Sequence, residues 1–287
     1  MANITPQMVK TLRDKTGAGM ADCKKALEEN NGDLDLAIEY LRKKGAASAA
    51  KRADREAKEG AIISKTNGKN AVVVEINSET DFVAKNAEFV EYANNVAEAL
   101  LSSGANTLED LMKVKVGANT VEQLHNDVLA KFSEKIEIRR FKHLSTTKGY
   151  IDSYTHFSNK LAVLVEVTCD KMTENGKNLL HDVAMQVAAM NPLYVDKSVV
   201  TQDTLEKEKQ IYIEQAIAEG KKPEIAERVA TGRIEKYFED FCLLQQSFIK
   251  ESSKKVSDII KEIATDCGCG DDFKVVGFIR YALGENE

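Results

Sequence analysis

Cys267-Gly268-Cys269-Gly270, with Asp266, Asp271 and Asp272 beside it, is the stretch whose residue types come nearest to chemistry. Thiolates and carboxylates are zinc ligands, but this Cys-x-Cys spacing is tighter than usual zinc pairs, and no second pair stands at a helpful distance. The simpler reading is a loop with incidental thiols. His125, His143, His156 and His181 are scattered, and packing or surface roles are the default for each. The sequence contains neither a Gly-x-Gly-x-x-Gly turn nor a phosphate-binding Gly-Lys-Ser/Thr loop. No serine sits in a Gly-x-Ser-x-Gly elbow. No catalytic residue, metal site or cofactor is expected, and the chain does not read as an enzyme.

A second stretch, Asn77-Ser78-Glu79-Thr80-Asp81-Phe82-Val83-Ala84-Lys85-Asn86-Ala87-Glu88-Phe89, raises a different question. It follows a β-like run, Val72-Val73-Val74-Glu75-Ile76, and leads into a helical pattern. Thr80 or Asp81 suits a helix N-cap. Phe82 stands seven residues before Phe89, on nearly the same face of a helix. Either Asp81 and Phe82 are a cap and a core aromatic, or they protrude to act on another molecule.

The elements that must position these residues begin with a small helical module. Thr5-Pro6 is a helix start, and Val9 and Leu12 give that helix an apolar side. Thr16-Gly17-Ala18-Gly19-Met20 breaks it with two glycines free to take positive φ. Met20, Cys23, Ala26 and Leu27 line a second helix. Asp33 caps a third, where Leu34, Ala37, Ile38 and Leu41 recur at helical spacing, and Gly45 is expected to stop it. Ala46 to Glu59 is mixed in charge without a large apolar residue, and reads as a solvated helix or linker.

Beyond it lie two copies of one plan. Gly60-Ala61-Ile62 matches Gly149-Tyr150-Ile151. Val72 to Ile76 matches Val163-Leu164-Val165-Glu166-Val167 at an interval of 91, which also carries Val96-Ala97 onto Val187-Ala188. Ile136 to Phe141 closes the first copy and Val275 to Tyr281 the second. The unit reads strand, strand, helix, helix, strand, a small antiparallel sheet with helices on one face. The same interval puts Thr80-Asp81-Phe82 on Lys171-Met172-Thr173, so the acid–aromatic pair belongs to the first copy alone. A charged insertion from Ser198 to about Asp240, split at Gly220-Lys221-Lys222-Pro223, reads as a projecting helical hairpin with Ile234, Tyr237, Phe238 and Phe241 on one face.

The chain has 287 residues, 43% hydrophobic and 30% charged, with a net charge of −6. Those fractions suit a globular protein. The charge argues against direct nucleic-acid binding, and no apolar run is long enough for a membrane span. No secretory or transit segment is evident at the N-terminus, and five cysteines in such a chain predict free thiols in a reducing cytoplasm.

Lys10-Thr11-Leu12-Arg13, Thr16 to Met20, Asp22-Cys23-Lys24-Lys25-Ala26-Leu27 and above all Thr80 to Asn86 make the chain resemble translation elongation factor Ts. Asn31-Gly32-Asp33, Ile138-Arg139-Arg140 and Gly277-Phe278-Ile279-Arg280 add to the resemblance, which runs nearly end to end. It implies a guanine-nucleotide exchange factor that binds elongation factor Tu with GDP or without nucleotide, and that leaves when GTP enters. It also implies that Thr80, Asp81, Phe82 and Val83 intrude beside the partner's nucleotide site and dislodge its Mg²⁺. By the same resemblance Arg13, Met20, Lys24 and His156 are further partner contacts.

The fold expected is α+β. A three-helix, ubiquitin-associated-like module with linker covers 1–55. The first core subdomain covers 56–145, and the second covers 146–196 and 241–287. An inserted helical hairpin covers 197–240. A homodimer through the hairpin or the core stays open. Some family members continue into a further helical module where this chain ends at Glu287, so affinity is expected to rest more on the core. Ala21 stands where some members carry a second Met, which predicts a weaker apolar contact. Two rival readings remain: an RNA- or ribosome-binding protein using the basic stretch Lys43 to Lys58, with Lys51, Arg52 and Arg55, and a metal-dependent enzyme using Cys267 and Cys269.

Overall fold

The structure, a computed structural model, describes residues 4–50, 52–169 and 171–285. Thr5 caps α1 (Pro6–Thr16) by accepting the Met8 N–H, with proline in the first turn. Gly17 ends it at φ 66, whereas Gly19 precedes α2 (Met20–Glu29) at φ −61, so one glycine of the pair uses the left-handed region. The Asp33 carboxylate accepts the Asp35 and Leu36 N–H groups and starts α3 (Leu34–Ala50). Leu12, Cys23, Ala26, Leu27 and Ala37 close the core of this module.

Gly45 does not stop α3, which runs on to Ala50. A Cβ at position 45 would stand 2.8 Å from the Ala130 Cβ of the neighbouring core. The glycine therefore permits a close approach of two helices, at roughly 1 kcal/mol of helix propensity against alanine. Arg42 fastens the same seam by a two-pronged bond to Asp127, at 2.7 and 3.0 Å.

The first half of the core is β1 (Glu59–Thr66), β2 (Asn70–Ser78), α4 (Asp81–Ala84), α5 (Ala87–Ser103), α6 (Leu108–Lys113), β3 (Lys115–Val116), β4 (Asn119–Thr120), α7 (Val121–Phe132) and β5 (Ile136–Ser145). The second is β6 (Tyr150–Thr155), β7 (Leu161–Val167) and α8 (Glu174–Met190), then α9 (Gln202–Ala218) and α10 (Pro223–Phe241), packed on each other, then β8 (Ser247–Phe248), β9 (Glu251–Lys255), α11 (Val256–Asp266) and β10 (Val275–Ala282). Each half makes a three-stranded antiparallel sheet, with β2 central between β1 and β5 and β7 central between β6 and β10. This is an α+β architecture.

Strand alternation explains the layering. Val72, Val74 and Ile76 point to the helices of the first half, where Phe89, Ala93, Val96 and Ala97 of α5 meet them. Val163, Val165 and Val167 do the same against Leu180, Ala184 and Val187 of α8. The opposite faces, with Ala71 and Val73 from β2 and Ala162 and Leu164 from β7, pack against each other. The order is helices, sheet, sheet, helices. Apolar residues on both faces of each central strand are buried, which is why both read as near-continuous apolar runs, each interrupted by one glutamate, Glu75 or Glu166.

The two halves embrace reciprocally. The Ile62 N–H donates to the Asn159 carbonyl at 2.7 Å, and the Ile151 N–H donates to the Gly68 carbonyl at 2.9 Å. Ala61 faces Ile76 as Tyr150 faces Val167, so the first strands correspond at an interval of 89 while the second strands correspond at 91. The difference lies in the turns. Three residues, Asn67-Gly68-Lys69, join β1 to β2, and five, His156-Phe157-Ser158-Asn159-Lys160, join β6 to β7. Gly68 and Asn159 correspond, both at positive φ (87 and 55), so His156 and Phe157 are the added pair.

The free-thiol expectation is corrected at one place. Cys169 and Cys269 are joined as a disulfide across 100 residues, while Cys23, Cys242 and Cys267 are free. The metal-dependent reading used Cys267 and Cys269 together, but the fold brings the end of β7 to the loop after α11. Cys269 is thus already engaged, and among the described residues no group of three or more His, Cys, Asp or Glu side chains is placed to hold a metal. Among the same residues no helix is long and apolar enough to cross a membrane.

Candidate functional site

The strand β2 delivers the chain to the Glu79–Val83 loop, and two carboxylates brace it there. Glu134 accepts the Thr80 N–H at 3.0 Å and the Thr80 hydroxyl at 2.7 Å. Reciprocally, Glu79 accepts the Lys135 N–H at 2.6 Å and an Arg55 guanidinium N–H at 3.2 Å. The Lys135 N–H, before Arg55, holds the Glu79 carboxyl below its usual range. The Ser78 hydroxyl donates to the Thr80 carbonyl at 3.0 Å. Thr80 is the N-cap of α4, and its hydroxyl accepts the Val83 N–H at 3.4 Å.

Val83 and Ala84 are buried in the first-half core, whereas the Phe82 side chain is 85% exposed. The cap reading of this segment therefore stands and the core-aromatic reading is overturned. The physical reason is a break in the helix. The chain leaves helical hydrogen bonding after Lys85, and Asn86 restarts it as the cap of α5, accepting the Glu88 N–H at 2.9 Å. Phe82 and Phe89 consequently do not share one helix face. In the second half Thr173, the counterpart of Phe82, caps α8 directly, and that helix runs on without a break.

Asp81 pairs with Lys85 one turn away, at 2.7 Å. That hydrogen bond holds the Asp81 carboxyl below its usual range, with the Lys160 ammonium adding to the effect. Lys160 pairs with Glu59 at 2.8 Å, and Glu59 in turn helps raise Lys85 behind the larger effect of Asp81. Such exposed pairs add little stability. Their alternation links α4 to the 156–160 turn across the first residue of β1.

His156 stands on that turn, half-buried. Its Nδ1 shares a hydrogen bond with the Tyr154 hydroxyl at 2.7 Å. The Tyr154 ring meets His181 edge-on at 5.6 Å, and His181 Nδ1 is 2.8 Å from the buried Asp152 carboxylate. Asp152 raises the His181 pKa above its ordinary value. The Phe157 ring lies 4.3 Å from the His156 ring and is 90% exposed.

Arg13, Met20 and Lys24 occupy the N-terminal module. Arg13 is exposed in the last turn of α1, Met20 is exposed at the start of α2, and Lys24 lies one turn on, 3.7 Å from Glu28. Among the described residues, no hydrogen bond or ion pair joins them to α4 or to the 156–160 turn. The fold thus brings Thr80 to Val83 and His156 to neighbouring turns and leaves the other three on α1 and α2 of the N-terminal module.

The basic stretch is largely paired. Lys43 meets Glu39, Lys44 meets Asp22, Arg55 meets Glu79 and Lys58 meets Glu56. Arg52 is buried and donates to the Leu129 carbonyl at 3.3 Å. Lys51 lies outside the described residues. This pairing lends the RNA reading no support, since phosphate binding draws on unpaired cations.

Sequence reasoning missed Glu134, Lys160 and Phe157. Glu134 reaches Thr80 over 54 positions, and no local pattern announces that. Phe157 had a signal: the interval between repeats changes from 89 to 91 at His156-Phe157.

The family model described as elongation factor TS matches residues 79–285. The elongation factor Ts of Chloroherpeton thalassium is 46% identical over 291 residues, with 99% of this chain and 100% of that protein covered. That of Prosthecochloris aestuarii is 44% identical over 290 residues, covering 99% and 100%. That of Clostridium kluyveri is 44% identical over 287 residues, covering 98% of this chain and 93% of its own.

Proposed function

The chain belongs to the elongation factor Ts family, and from that premise we propose that it is a guanine-nucleotide exchange factor acting on elongation factor Tu in the cytoplasm. It binds the GDP complex, and Phe82 enters the partner beside the Mg²⁺ and phosphate site. The observation that carries this reading is a large aromatic side chain 85% exposed on a loop braced from both sides by carboxylates.

Mg²⁺ requires near-ideal octahedral geometry, so a small shift of its ligands weakens it sharply. Packed side chains move between discrete arrangements rather than deform smoothly, and a wedge selects a new arrangement. Thr80 and Val83 set the wedge, and Asp81 with Lys85 presents charge beside it. Residues 1–55 dock on the nucleotide-binding domain through Arg13, Met20 and Lys24, and the second core half adds His156. Linkage requires that if this chain weakens GDP binding by a factor, GDP weakens its binding by the same factor. No covalent step is involved.

The test is stopped-flow release of fluorescent GDP from elongation factor Tu, with the wild-type chain and with Phe82→Ala. The expected result is fast release with wild type and release slowed at least about tenfold at saturation with the variant, a loss of the size of a binding hot spot. Because Phe82 is exposed, the variant should keep its fold, within about 0.5 kcal/mol. Equal release by both proteins overturns the wedge, and no acceleration by wild type overturns the exchange role itself.

A further inference from the structure

Phe82 and Phe157 are by far the most exposed large apolar side chains among the described residues, at 85% and 90%. Neither belongs to the shared scaffold. Phe82 gives way to Thr173 in the second half, and Phe157 is one of two residues by which the β6–β7 turn exceeds the β1–β2 turn. The shorter turn closes without them at Gly68, so the fold does not need the addition. An isolated exposed Phe is ordinary on a surface. Two, each on a braced turn and each absent from the matching half, are not.

The two turns are neighbours. Asn159 accepts the Ile62 N–H at 2.7 Å, and Lys160 holds Glu59 at 2.8 Å. On the other side, α4 packs against β1, and the Lys160 ammonium helps, behind Lys85, to hold the Asp81 carboxyl below its usual range. The N-terminal part of β1 therefore separates the two phenylalanine-bearing turns. The Phe157 turn is also held from within. The Asn159 N–H donates to the His156 carbonyl at 2.8 Å, and the His156 N–H to the Leu161 carbonyl at 2.9 Å. The Tyr154 hydroxyl fixes the His156 ring on which Phe157 rests. A pre-ordered aromatic loses little freedom on binding, which favours a binding role.

We propose that Phe157 is a second apolar prong, entering a pocket on the same partner protein that Phe82 engages. The proposal rests on the exchange-factor reading above. Its occupant is that partner because the Phe157 turn continues the surface that presents Phe82. Standing on the other half of the core, Phe157 meets a patch of the partner away from the nucleotide. A contact made equally before and after GDP departs raises affinity and leaves the release step untouched, which is uniform binding. Phe82 sets the maximum rate; Phe157 sets the concentration at which it is reached.

The experiment measures GDP release from elongation factor Tu against the concentration of wild type, Phe157→Ala, Phe157→Leu and Phe82→Ala. Sedimentation of each chain alone accompanies it. Phe157→Ala is expected to raise the half-saturating concentration about tenfold or more, as hot-spot aromatics do, with the maximum rate within twofold of wild type. Phe157→Leu restores most of the affinity, and Phe82→Ala shows the opposite split. A half-saturating concentration for Phe157→Ala within twofold of wild type overturns the proposal while leaving the exchange role standing. So does a wild-type dimer that Phe157→Ala dissolves, since the occupant is then a second copy of the chain. Failure of wild type to accelerate release at all removes the exchange reading, and this proposal with it.

Discussion

Gly68 and Asn159 occupy one place in the fold seen twice: each sits at positive φ in the turn of its own half and accepts the N–H of an isoleucine in the other half. The reciprocity ties the two sheets at both ends of their shared face. It also locates the asymmetry between the halves, because the pair His156-Phe157 enters the chain just before Asn159. The two positions differ in what they tolerate.

Gly68→Ala should destabilise the core by about 2 kcal/mol or more. A φ of 87 strains any residue with a Cβ, and the new carbon would stand 2.7 Å from the Tyr150 ring. Asn159→Gly at φ 55 should stay within about 0.5 kcal/mol, since asparagine and glycine both accept the left-handed region. Urea unfolding of the two variants compares them directly, and an equal loss in both would refute the argument.

Glu134→Ala removes both acceptors of Thr80, the backbone N–H and the hydroxyl. The loop lies at the surface, so the loss of global stability should be about 1–2 kcal/mol. The loss of exchange at saturation should be several-fold, because a displaced Phe82 no longer meets its target. Hydrogen exchange at the Thr80 and Val83 amides reads the loosening, and GDP-release kinetics read its effect. Glu134→Gln, which keeps one acceptor, should fall between.

Glu75 is 0% exposed and binds two consecutive arginines, Arg139 at 2.9 Å and Arg140 at 2.6 Å. Consecutive strand residues ordinarily point to opposite faces. Here a bulge leaves Arg139 as the extra residue between the Glu75–Arg140 and Ile76–Ile138 pairs, so both guanidinium groups reach one carboxylate. Arg140 also lies 4.1 Å over the Tyr281 ring and so links the two halves. Glu75→Ala leaves two arginine charges at the site without their buried counter-ion and should cost about 3–5 kcal/mol. Arg139→Ala, at the more exposed partner, should cost clearly less, and guanidinium unfolding curves rank them.

His125 is half-buried beside Tyr92, Nδ1 to hydroxyl at 2.7 Å, and desolvation pushes its pKa down from 6.5 to about 4. Between those values the unfolded chain binds the proton and the folded chain does not. Its contribution is therefore present above pH 6.5 and lost as pH falls towards 4. The loss should reach about 3 kcal/mol. His181 acts with the opposite sign. Asp152 raises its pKa, so its contribution is complete below 6.5 and fades at higher pH. Unfolding free energies measured at several pH values should fall on the acid side, and His125→Leu combined with Tyr92→Phe should flatten that limb alone.

The apolar runs of Val72 to Ile76 and of Val163 to Val167 are local, and with the repeat interval they were enough to identify two copies of a strand–helix unit. Helix starts at Thr5 and Asp33 were legible for the same reason, since a cap needs a partner only two or three residues away. Helices on one face of each sheet were expected from the sequence, but a cover for the opposite face was not. That each sheet covers the other depends on contacts across about 90 positions, which no local pattern carries.

The exposure of Phe82 was undecidable from its neighbours. Its spacing from Phe89 puts them on one face only if the helix is continuous. Asn86 and the brace from Glu134 together break the helix and carry Phe82 outward. Gly45 looked like a stop because glycine is a poor helix former, yet its missing side chain serves a contact with Ala130 that only packing creates. The Cys169–Cys269 bond and the convergence of Arg139 and Arg140 on Glu75 are of the same kind. Caps, alternation and repeats are short-range and appear in the order of residues. Exposure, ion pairing and close approach depend on which distant segments share a surface, and the tertiary fold alone decided them.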